Sequence, residues 1–263
     1  HNNSLVVDLP ENLKEYYNAY TWNSGNIRNG IAEGHPITTL TGLGYKRNKN
    51  GDILISSISG TPIVDSEWTV LADRNPALTY GVTTNLSYKG FRLSAMLSGM
   101  AGATVVNGTM RTMMSKGQSW ESVRLRENRH YVFEGVLQDG FENSDNPTKN
   151  TVAVDMWKYA GTSIFGGNDE DWLEKDVNYL KLAEIRLSYA VPSGWLKKAT
   201  KGFISNASVF VAANDLCTFT NYSGVDPVGN TMSAAGGGTG GQGYDVWGIP
   251  APRTYSFGVS LTF

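Results

Sequence analysis

The 263-residue sequence has few cysteines, few charges and no long hydrophobic run. Cys217 is the only cysteine, which excludes a disulfide within the chain and a cysteine-based zinc cluster. Charged residues make up 17% of the sequence, compared with roughly 25% in ordinary soluble domains. With a formal net charge of −2, the chain has no basic surplus for binding nucleic acid. No stretch approaches the roughly 18 apolar residues of a membrane-spanning helix.

The sequence also lacks patterns that are typical of catalytic or metal sites. His1, His35 and His130 are far apart in the sequence and form no H-x-x-x-H pair, so we expect neither a catalytic residue nor a metal site. The acidic run at 169–171 is interpreted as a solvated polar loop, with a calcium contact as the alternative. We therefore expect no enzyme activity and no cofactor.

Strict alternation of apolar and small polar residues predicts an all-β protein. Between Thr254 and Phe263 every odd position is apolar and every even position is polar or glycine, the pattern of a strand with two different faces. The other predicted strands cover 80–89, 91–98, 183–191, 208–216, 37–46 and 4–9, with decreasing regularity. Lys89-Gly90 predicts a tight hairpin turn, and the broken phase at 180–182 predicts a bulge. The only candidate helix is a short one at 11–20.

Seven alternating strands fit two kinds of all-β protein. A soluble β-sandwich buries its apolar rows against a second sheet, whereas a transmembrane barrel turns them towards lipid. The aromatic residues favour the barrel, because they bracket apolar rows in pairs eight or ten residues apart: Tyr80 with Tyr88, Tyr179 with Tyr189, and Tyr255 with Phe263. Such pairs match the two interfaces of an apolar band about 25 Å tall.

The lengths of the connections also favour an outer-membrane barrel, which has short periplasmic turns and long external loops. If the strand 254–263 ends in the periplasm, the long connections 101–177 and 217–253 lie outside the cell. The shorter connections at 89–90 and 192–207 then lie in the periplasm. Only the long connection 10–36 departs from this rule.

Four motifs, in this order, resemble the SusC/RagA-like TonB-dependent outer-membrane transporters. They are DRNPALTYG at 73–81, VNYLKL to LSY at 177–189, NDLCTFTNYSGVDP at 214–227, and PRTYSFG leading into Phe263. The family has a D-x-x-P-x-x-x-x-G strand entry, a YLRLxNxxLxY strand, an NLFTFTxYxGxDP motif and a closing strand at the corresponding places. Cys217 stands where the family commonly has Phe, and residues 1–60 match only loosely.

The resemblance implies that residues 1–263 are the C-terminal part of a 22-stranded barrel, whose plug and N-terminal domains are absent from this chain. It implies active import of oligosaccharides or oligopeptides, energised by TonB. The expected partners are a SusD-like surface lipoprotein, the remainder of the barrel and plug, TonB through the missing N-terminal part, and outer-membrane lipid, with no nucleic acid. The alternative is a soluble secreted β-sandwich that binds carbohydrate.

Candidate functional residues fall into three groups. Substrate contacts are expected in the long segment 102–176, because aromatic faces stack on sugars and guanidinium groups bind carboxylates or hydroxyls; the candidates are Trp120, Arg124, Arg126, Arg129, Tyr131 and Trp157. The alternative is that these residues pack the loop upon itself. Contacts with the plug or the lumen are expected from Asn85, Arg92, Glu184 and Arg186. Phe263 is expected to be an assembly signal, by resemblance to barrels that end in an aromatic residue.

Overall fold

The computed structural model of the chain describes residues 4–13, 15–16, 23–24, 27–159, 167–228 and 243–263. Its strands are β1 (Glu15–Tyr16), β2 (Asn23–Ser24), β3 (Ile27–Asn29), β4 (Ile31–Ala32), β5 (Thr39–Gly42), β6 (Leu54–Ser56), β7 (Thr69–Asp73), β8 (Leu78–Tyr88), β9 (Phe91–Asn107), β10 (Val136–Gln138), β11 (Leu173–Ala190), β12 (Asn206–Thr220), β13 (Tyr244–Asp245) and β14 (Thr254–Thr262). The helices are α1 (Gly108–Ser115), α2 (Trp120–Glu127) and α3 (Ser193–Ala199), with 3₁₀ turns at Met156–Tyr159 and Asp169–Trp172. None of the helices in the described ranges has the length and apolar character needed to cross a membrane.

Five long antiparallel strands form the main sheet, in the order β8-β9-β11-β12-β14, and the short β13 pairs in parallel with the end of β9. The chain runs up and down through this sheet, so each long strand pairs with its neighbours along the chain. At the predicted hairpin turn, Lys89 and Gly90 have φ values of +44° and +87°. Positive φ at both central residues is the geometry that matches the twist of a two-residue hairpin. The hairpin prediction is confirmed.

The register of the main sheet sorts its side chains onto two faces. One row of paired residues crosses all five strands and is wholly apolar: Leu86, Leu93, Leu187, Val211 and Phe257. The adjacent row lies on the opposite face and contains Asn85, Ser94, Arg186, Ala212 and Ser256. We call these surfaces the apolar face and the polar face. Phe257 is 87% exposed, so within the described ranges no second sheet covers the apolar face as it would in a β-sandwich.

The predicted bulge is present and it changes the face of one aromatic residue. The register of β11 shifts between Leu182 and Glu184, relative to both of its neighbours. Tyr179 consequently pairs with Met100, which belongs to the polar face, whereas Tyr189 pairs with Phe91 on the apolar face. The prediction that the two tyrosines bracket one apolar row is therefore wrong. Leu180, paired with Gly99, takes that place on the apolar face.

Two of the seven predicted strands are wrong or misplaced. Residues 4–9 form no strand, and of 37–46 only β5 is a strand, which belongs to a separate four-stranded sheet β2-β3-β5-β7. All four residues of β5 are buried, so its side chains do not divide between an apolar and a polar environment. The helix predicted at 11–20 is contradicted at β1, and residues 14 and 17–20 lie outside the described ranges. The three helices have seven or eight residues each, too short to show a clear apolar period.

The buried core lies at one end of the main sheet. One cluster joins Ile27 and Leu40 to Val106, Leu173 and Tyr244, and a second joins Val105, Val177 and Tyr222. We call this the long-loop end, because the connections 108–172 and 221–253 leave the sheet there. The opposite, short-turn end has only the connections 89–90 and 191–205. The described parts of the long connections thus fold onto the sheet as a packed layer, while the short-turn end has little covering of its own.

Candidate functional site

A concavity of about 680 Å³ lies on the polar face towards the short-turn end. Asn85, Arg92 and Arg186 line it, together with one serine from each of four strands: Ser87, Ser94, Ser188 and Ser208. Glu184 lies on the same face, nearer the long-loop end, and pairs with Met96 and Asn214. The structure thus brings the four predicted lumen residues onto one surface, because residues two apart in a strand point the same way.

Arg186 is held over an aromatic ring on the polar face. Its guanidinium carbon lies 3.9 Å from the ring centre of Phe210, a cation–π contact. The ring of Phe210 in turn covers Gly258, where an added Cβ would lie 2.5 Å from a ring carbon. Phe210 is out of phase with the apolar residues of its own strand, and the glycine opposite provides the space for its ring. Sequence reasoning did not identify this contact, because it joins two strands.

Neither Arg92 nor Glu184 forms an ion pair with another residue in the described ranges. Their charges are therefore available to a group outside the described residues. A charge that is removed from water needs an opposite charge or hydrogen bonds from its new surroundings. The polar face can thus bind a polar partner, whereas the apolar face cannot.

A second recess of about 300 Å³ lies near the long-loop end and was missed by sequence reasoning. Lys181 and Asp215 form an ion pair at 2.6 Å within it, and Asp226 and Arg253 also line it. Asp215 has a φ of +52° and lies where β12 shifts register against β11. Two features of the sequence could have indicated this recess. One is Lys181, which lies where the alternation is broken at 180–182, and the other is Asp215, because aspartate adopts a positive φ more readily than most residues.

The predicted substrate-binding residues mostly contact their own segment. Arg124 pairs with Glu121 at 3.1 Å, and Arg129 pairs with Asp155 at 3.2 Å. The guanidinium carbons of Arg126 and Arg129 lie 5.8 Å and 4.8 Å from the ring of Trp157, and the ring of Tyr131 packs edge-on against Phe133 at 4.8 Å. These contacts are what the packing alternative expects. Trp120 differs, because it is 75% exposed at the start of α2. A role in substrate binding remains a prediction for the whole group.

Two members of the acidic run hold a distant segment, so their interpretation as a solvated loop is wrong. Glu170 accepts a hydrogen bond of 2.8 Å from the amide of Tyr45 and pairs with Arg47. Asp171 accepts a 2.5 Å hydrogen bond from the Tyr45 hydroxyl. Burial, followed by the charge of Asp171, raises the pKa of Tyr45. Across the described ranges, no group of three or more His, Cys, Asp or Glu side chains could hold a metal ion.

A buried hydrogen-bond network joins the two long connections. Tyr222 donates to Asp245 at 2.7 Å, and Thr109 donates to the other oxygen of Asp245 at 3.0 Å. Nearby, Asn107 and the amide of Ser223 donate to the two carboxylate oxygens of Glu174 at 2.7 Å and 3.0 Å. Burial raises the pKa of Tyr222, and its hydrogen bond to Asp245 raises that pKa further. The loops at this end are therefore fixed relative to one another.

Phe263 lies at the short-turn end, where its ring is 71% exposed. Its ring centre lies 5.2 Å from that of Phe203 in the connection 191–205. This contact fixes the orientation of the Phe263 ring. The role of Phe263 as an assembly signal remains a prediction.

Comparison with known proteins gives similarities to outer-membrane receptors. The chain is 26% identical to TonB-dependent receptor P26 of Formosa agariphila, over 82% of the chain and 19% of the receptor. It is 22% identical to TonB-dependent receptor P3 of the same organism, over 95% of the chain and 21% of the receptor. The chain thus spans about a fifth of the length of these relatives. No protein-family profile matches it.

Solved structures give the same fold. The chain matches the RagAB peptide transporter over 98% of its length and 26% of that chain, with a TM-score of 0.55 and 18% identity. The 'open-open' state of the RagAB peptide importer gives a TM-score of 0.59 at 19% identity. The antiparallel fold, the four motifs and these relatives agree with one another. The predicted resemblance to the SusC/RagA-like TonB-dependent transporters is therefore confirmed, and the chain has the fold of a portion of an outer-membrane β-barrel.

Proposed function

We propose that this chain forms part of the barrel wall of an active importer of oligopeptides or oligosaccharides. The observation that carries the proposal is the division of the main sheet into an apolar face and a charged polar face. A sheet with these two faces separates lipid from an aqueous or protein-filled interior. The similarity to TonB-dependent receptors supports TonB as the source of energy, acting through a part of the protein outside this chain.

The mixed charges of the polar face favour oligopeptides over neutral oligosaccharides. Lys181, Asp215, Asp226 and Arg253 line one recess, and Arg92 and Arg186 line the larger concavity. Peptides carry an ammonium group, a carboxylate and side-chain charges, which such surfaces bind through charge-assisted hydrogen bonds. The structural neighbour described as a peptide importer is consistent with this preference.

We propose further that the polar face contacts a plug domain at Asn85, Arg92, Glu184 and Arg186. Arg92 and Glu184 lack ion-pair partners in the described part of the chain, and a plug seated against the face would supply them. Movement of the plug would then expose the serine-lined concavity to the substrate.

A surface lipoprotein of the SusD-like type is the proposed partner at the long-loop end. Large hydrophobic side chains are exposed there on several loops: Ile58, Trp120, Phe141, Trp157 and Ile249. Exposed aromatic and aliphatic residues on a fixed scaffold are typical of protein-binding surfaces. The buried network between Tyr222, Asp245 and Thr109 holds two of these loops in place.

The test is uptake by cells that make the full-length protein, compared with cells that lack it. We expect a labelled oligopeptide mixture to accumulate only in the producing cells, and a protonophore to abolish the accumulation. Reversing the charges with Arg92→Glu and Arg186→Glu is expected to lower uptake at least tenfold. The matched control reverses Lys116 and Lys149, two exposed lysines remote from the polar face, and is expected to retain uptake.

Three outcomes would contradict the proposal. Uptake that is insensitive to the protonophore would exclude an energised importer. Uptake of labelled oligosaccharides but not of oligopeptides would reverse the substrate preference. Equal uptake by the polar-face variant and the control, at equal amounts in the outer membrane, would remove the polar face from the transport path.

A further inference from the structure

The short-turn end of the main sheet is basic and contains no carboxylate side chain. Residues 84–96, 185–212 and 256–263, which include this end of all five strands and both turns, contain no Asp or Glu. They contain Lys89, Arg92, Arg186, Lys197, Lys198 and Lys201. The whole chain has 22 basic and 24 acidic residues, so this concentration of positive charge is local.

Three of the lysines lie on the folded connection 191–205, which we call the basic platform. Leu196 is buried and anchors α3, whereas Lys197, Lys198 and Lys201 are exposed. Lys201 and Gly202 have φ values of +52° and +85° and turn the chain back towards the sheet. None of the three lysines forms an ion pair with a residue that the structure describes.

The basic platform is attached to the end of the sheet rather than projecting from it. The amide of Ile204 donates to the Thr200 hydroxyl at 3.1 Å, which closes the turn after α3. The amide of Ser205 donates to the carbonyl of Thr262 at 2.7 Å, which ties the platform to β14. The lysines are therefore presented at a fixed height relative to the apolar face.

Exposed aromatic rings join the basic platform to the apolar face. Trp195 and Phe203 are 66% and 69% exposed, and Phe203 packs against Phe263. Phe263 follows Leu261 and Val259 in the apolar row of β14, which turns towards lipid in an outer-membrane barrel. Aromatic rings beside lysines are the combination that rests at the boundary between acyl chains and headgroups.

We propose that the basic platform binds the phosphate of an anionic phospholipid in the inner leaflet of the outer membrane. Lys197, Lys198 and Lys201 contact the phosphate, while Phe203 and Phe263 contact the acyl chains. An acidic soluble protein in the periplasm could also bind the lysines. It would not explain why the rings of Phe203 and Phe263 continue the lipid-facing apolar row. The proposal goes beyond import, since it concerns the seating of the barrel in its membrane.

Native mass spectrometry of the full-length protein in detergent, titrated with phosphatidylglycerol or phosphatidylcholine, tests the proposal without measuring uptake. We expect tighter binding of phosphatidylglycerol by the native protein, and a loss of about fivefold in that affinity for each lysine removed. The variant is Lys197→Gln with Lys198→Gln and Lys201→Gln. A matched control replaces Lys116, Lys149 and Lys158, exposed lysines away from the short-turn end, and should retain the native affinity. Arginine at the three platform positions should also retain it.

The proposal is overturned if the native protein binds both lipids equally, or if the glutamine variant keeps the native affinity for phosphatidylglycerol. Loss of uptake by the glutamine variant with unchanged lipid affinity would assign the platform to a protein partner instead. As a second measurement, Phe203→Ser should weaken the binding of both lipids by a similar factor, because its ring contacts the acyl chains, which both lipids have. Selective weakening of phosphatidylglycerol by that change would contradict the assigned role of the aromatic rings.

Discussion

The two ends of the main sheet are built on different principles. At the long-loop end, Val105, Val106 and Tyr244 are buried, and charged groups such as Glu174 and Asp245 accept hydrogen bonds inside the protein. At the short-turn end the rings of Phe203 and Phe263 are exposed, and Lys197, Lys198 and Lys201 form no ion pair with a described residue. The first end is stabilised as a soluble domain is, by its own core. The second depends on its surroundings, because its apolar side chains gain burial only from lipid.

The largest expected effect comes from placing a charge on the apolar face between the two ends. Ala95 pairs with Thr84 and Ile185 on the apolar face, and the adjacent Met96 pairs with Glu184 on the polar face. Ala95→Arg should destabilise the full-length protein in bilayers by roughly 2–4 kcal/mol, because the charge enters hydrocarbon. Met96→Arg, at the same depth, should cost much less. Denaturant titration in lipid measures both, and equal losses would contradict the assignment of the faces.

The next largest effect should be confined to the long-loop end. Tyr222→Phe removes a hydrogen bond to the buried carboxylate of Asp245, a change that costs roughly 1.5–3 kcal/mol. We expect faster proteolysis of the connection 221–253, with no change at the connection 191–205. Tyr131→Phe is the matched control, since the ring of Tyr131 packs against Phe133 and the substitution keeps that contact. Equal protection in both variants would mean that the network does not hold the loops.

Raising the pH into the alkaline range should also cause local unfolding at the long-loop end before it does so at the short-turn end. Burial raises the pKa of Tyr222, Tyr244 and Tyr45 above the ordinary tyrosine value of 10.0. A group whose pKa is raised by folding stabilises the folded state at pH values below its pKa in the unfolded chain. For tyrosine this contribution is lost as the pH rises past 10.0. Hydrogen exchange in the two ends, followed from about pH 9 to about pH 11.5, measures the difference. A uniform response at both ends would contradict this prediction.

The smallest effect on stability is expected from the terminal aromatic residue. Phe263→Ala removes a ring that is 71% exposed, so the assembled protein should lose only about 1 kcal/mol. If the ring is an assembly signal, the amount in the outer membrane should nevertheless fall. Phe203→Ala is the control, because it removes the same ring contact without changing the last residue. Assembly of the Phe263 variant in normal amounts would show that the residue only closes the strand.

The short-turn half of the sheet could be predicted from sequence because each of its strands separates two environments. Alternation located β8, β14 and the turn at Lys89-Gly90, and it placed Asn85 and Arg186 on one face. It failed for Tyr179, since a bulge reverses the faces and only the partner strand fixes where the reversal occurs.

The long-loop end could not be predicted in the same way, because its contacts join residues far apart in the sequence. Tyr244 pairs with Val106, and Glu170 contacts Tyr45 and Arg47 across more than one hundred positions. The recess around Lys181 and Asp215 has the same origin, since β11 and β12 each contribute one charge. Such sites need the register of the sheet before their residues can be grouped.

The unequal lengths of the strands give the wall an uneven height. β9 and β11 have 17 and 18 residues, whereas about 9–11 residues suffice to cross a bilayer at the usual tilt. The surplus of about six residues, at about 3.3 Å each, raises the wall by up to roughly 20 Å beyond the hydrocarbon. This raised part is where Val105, Val106 and Val177 are buried by protein rather than by lipid. A molecule approaching from that side therefore meets protein before it reaches the level of the hydrocarbon.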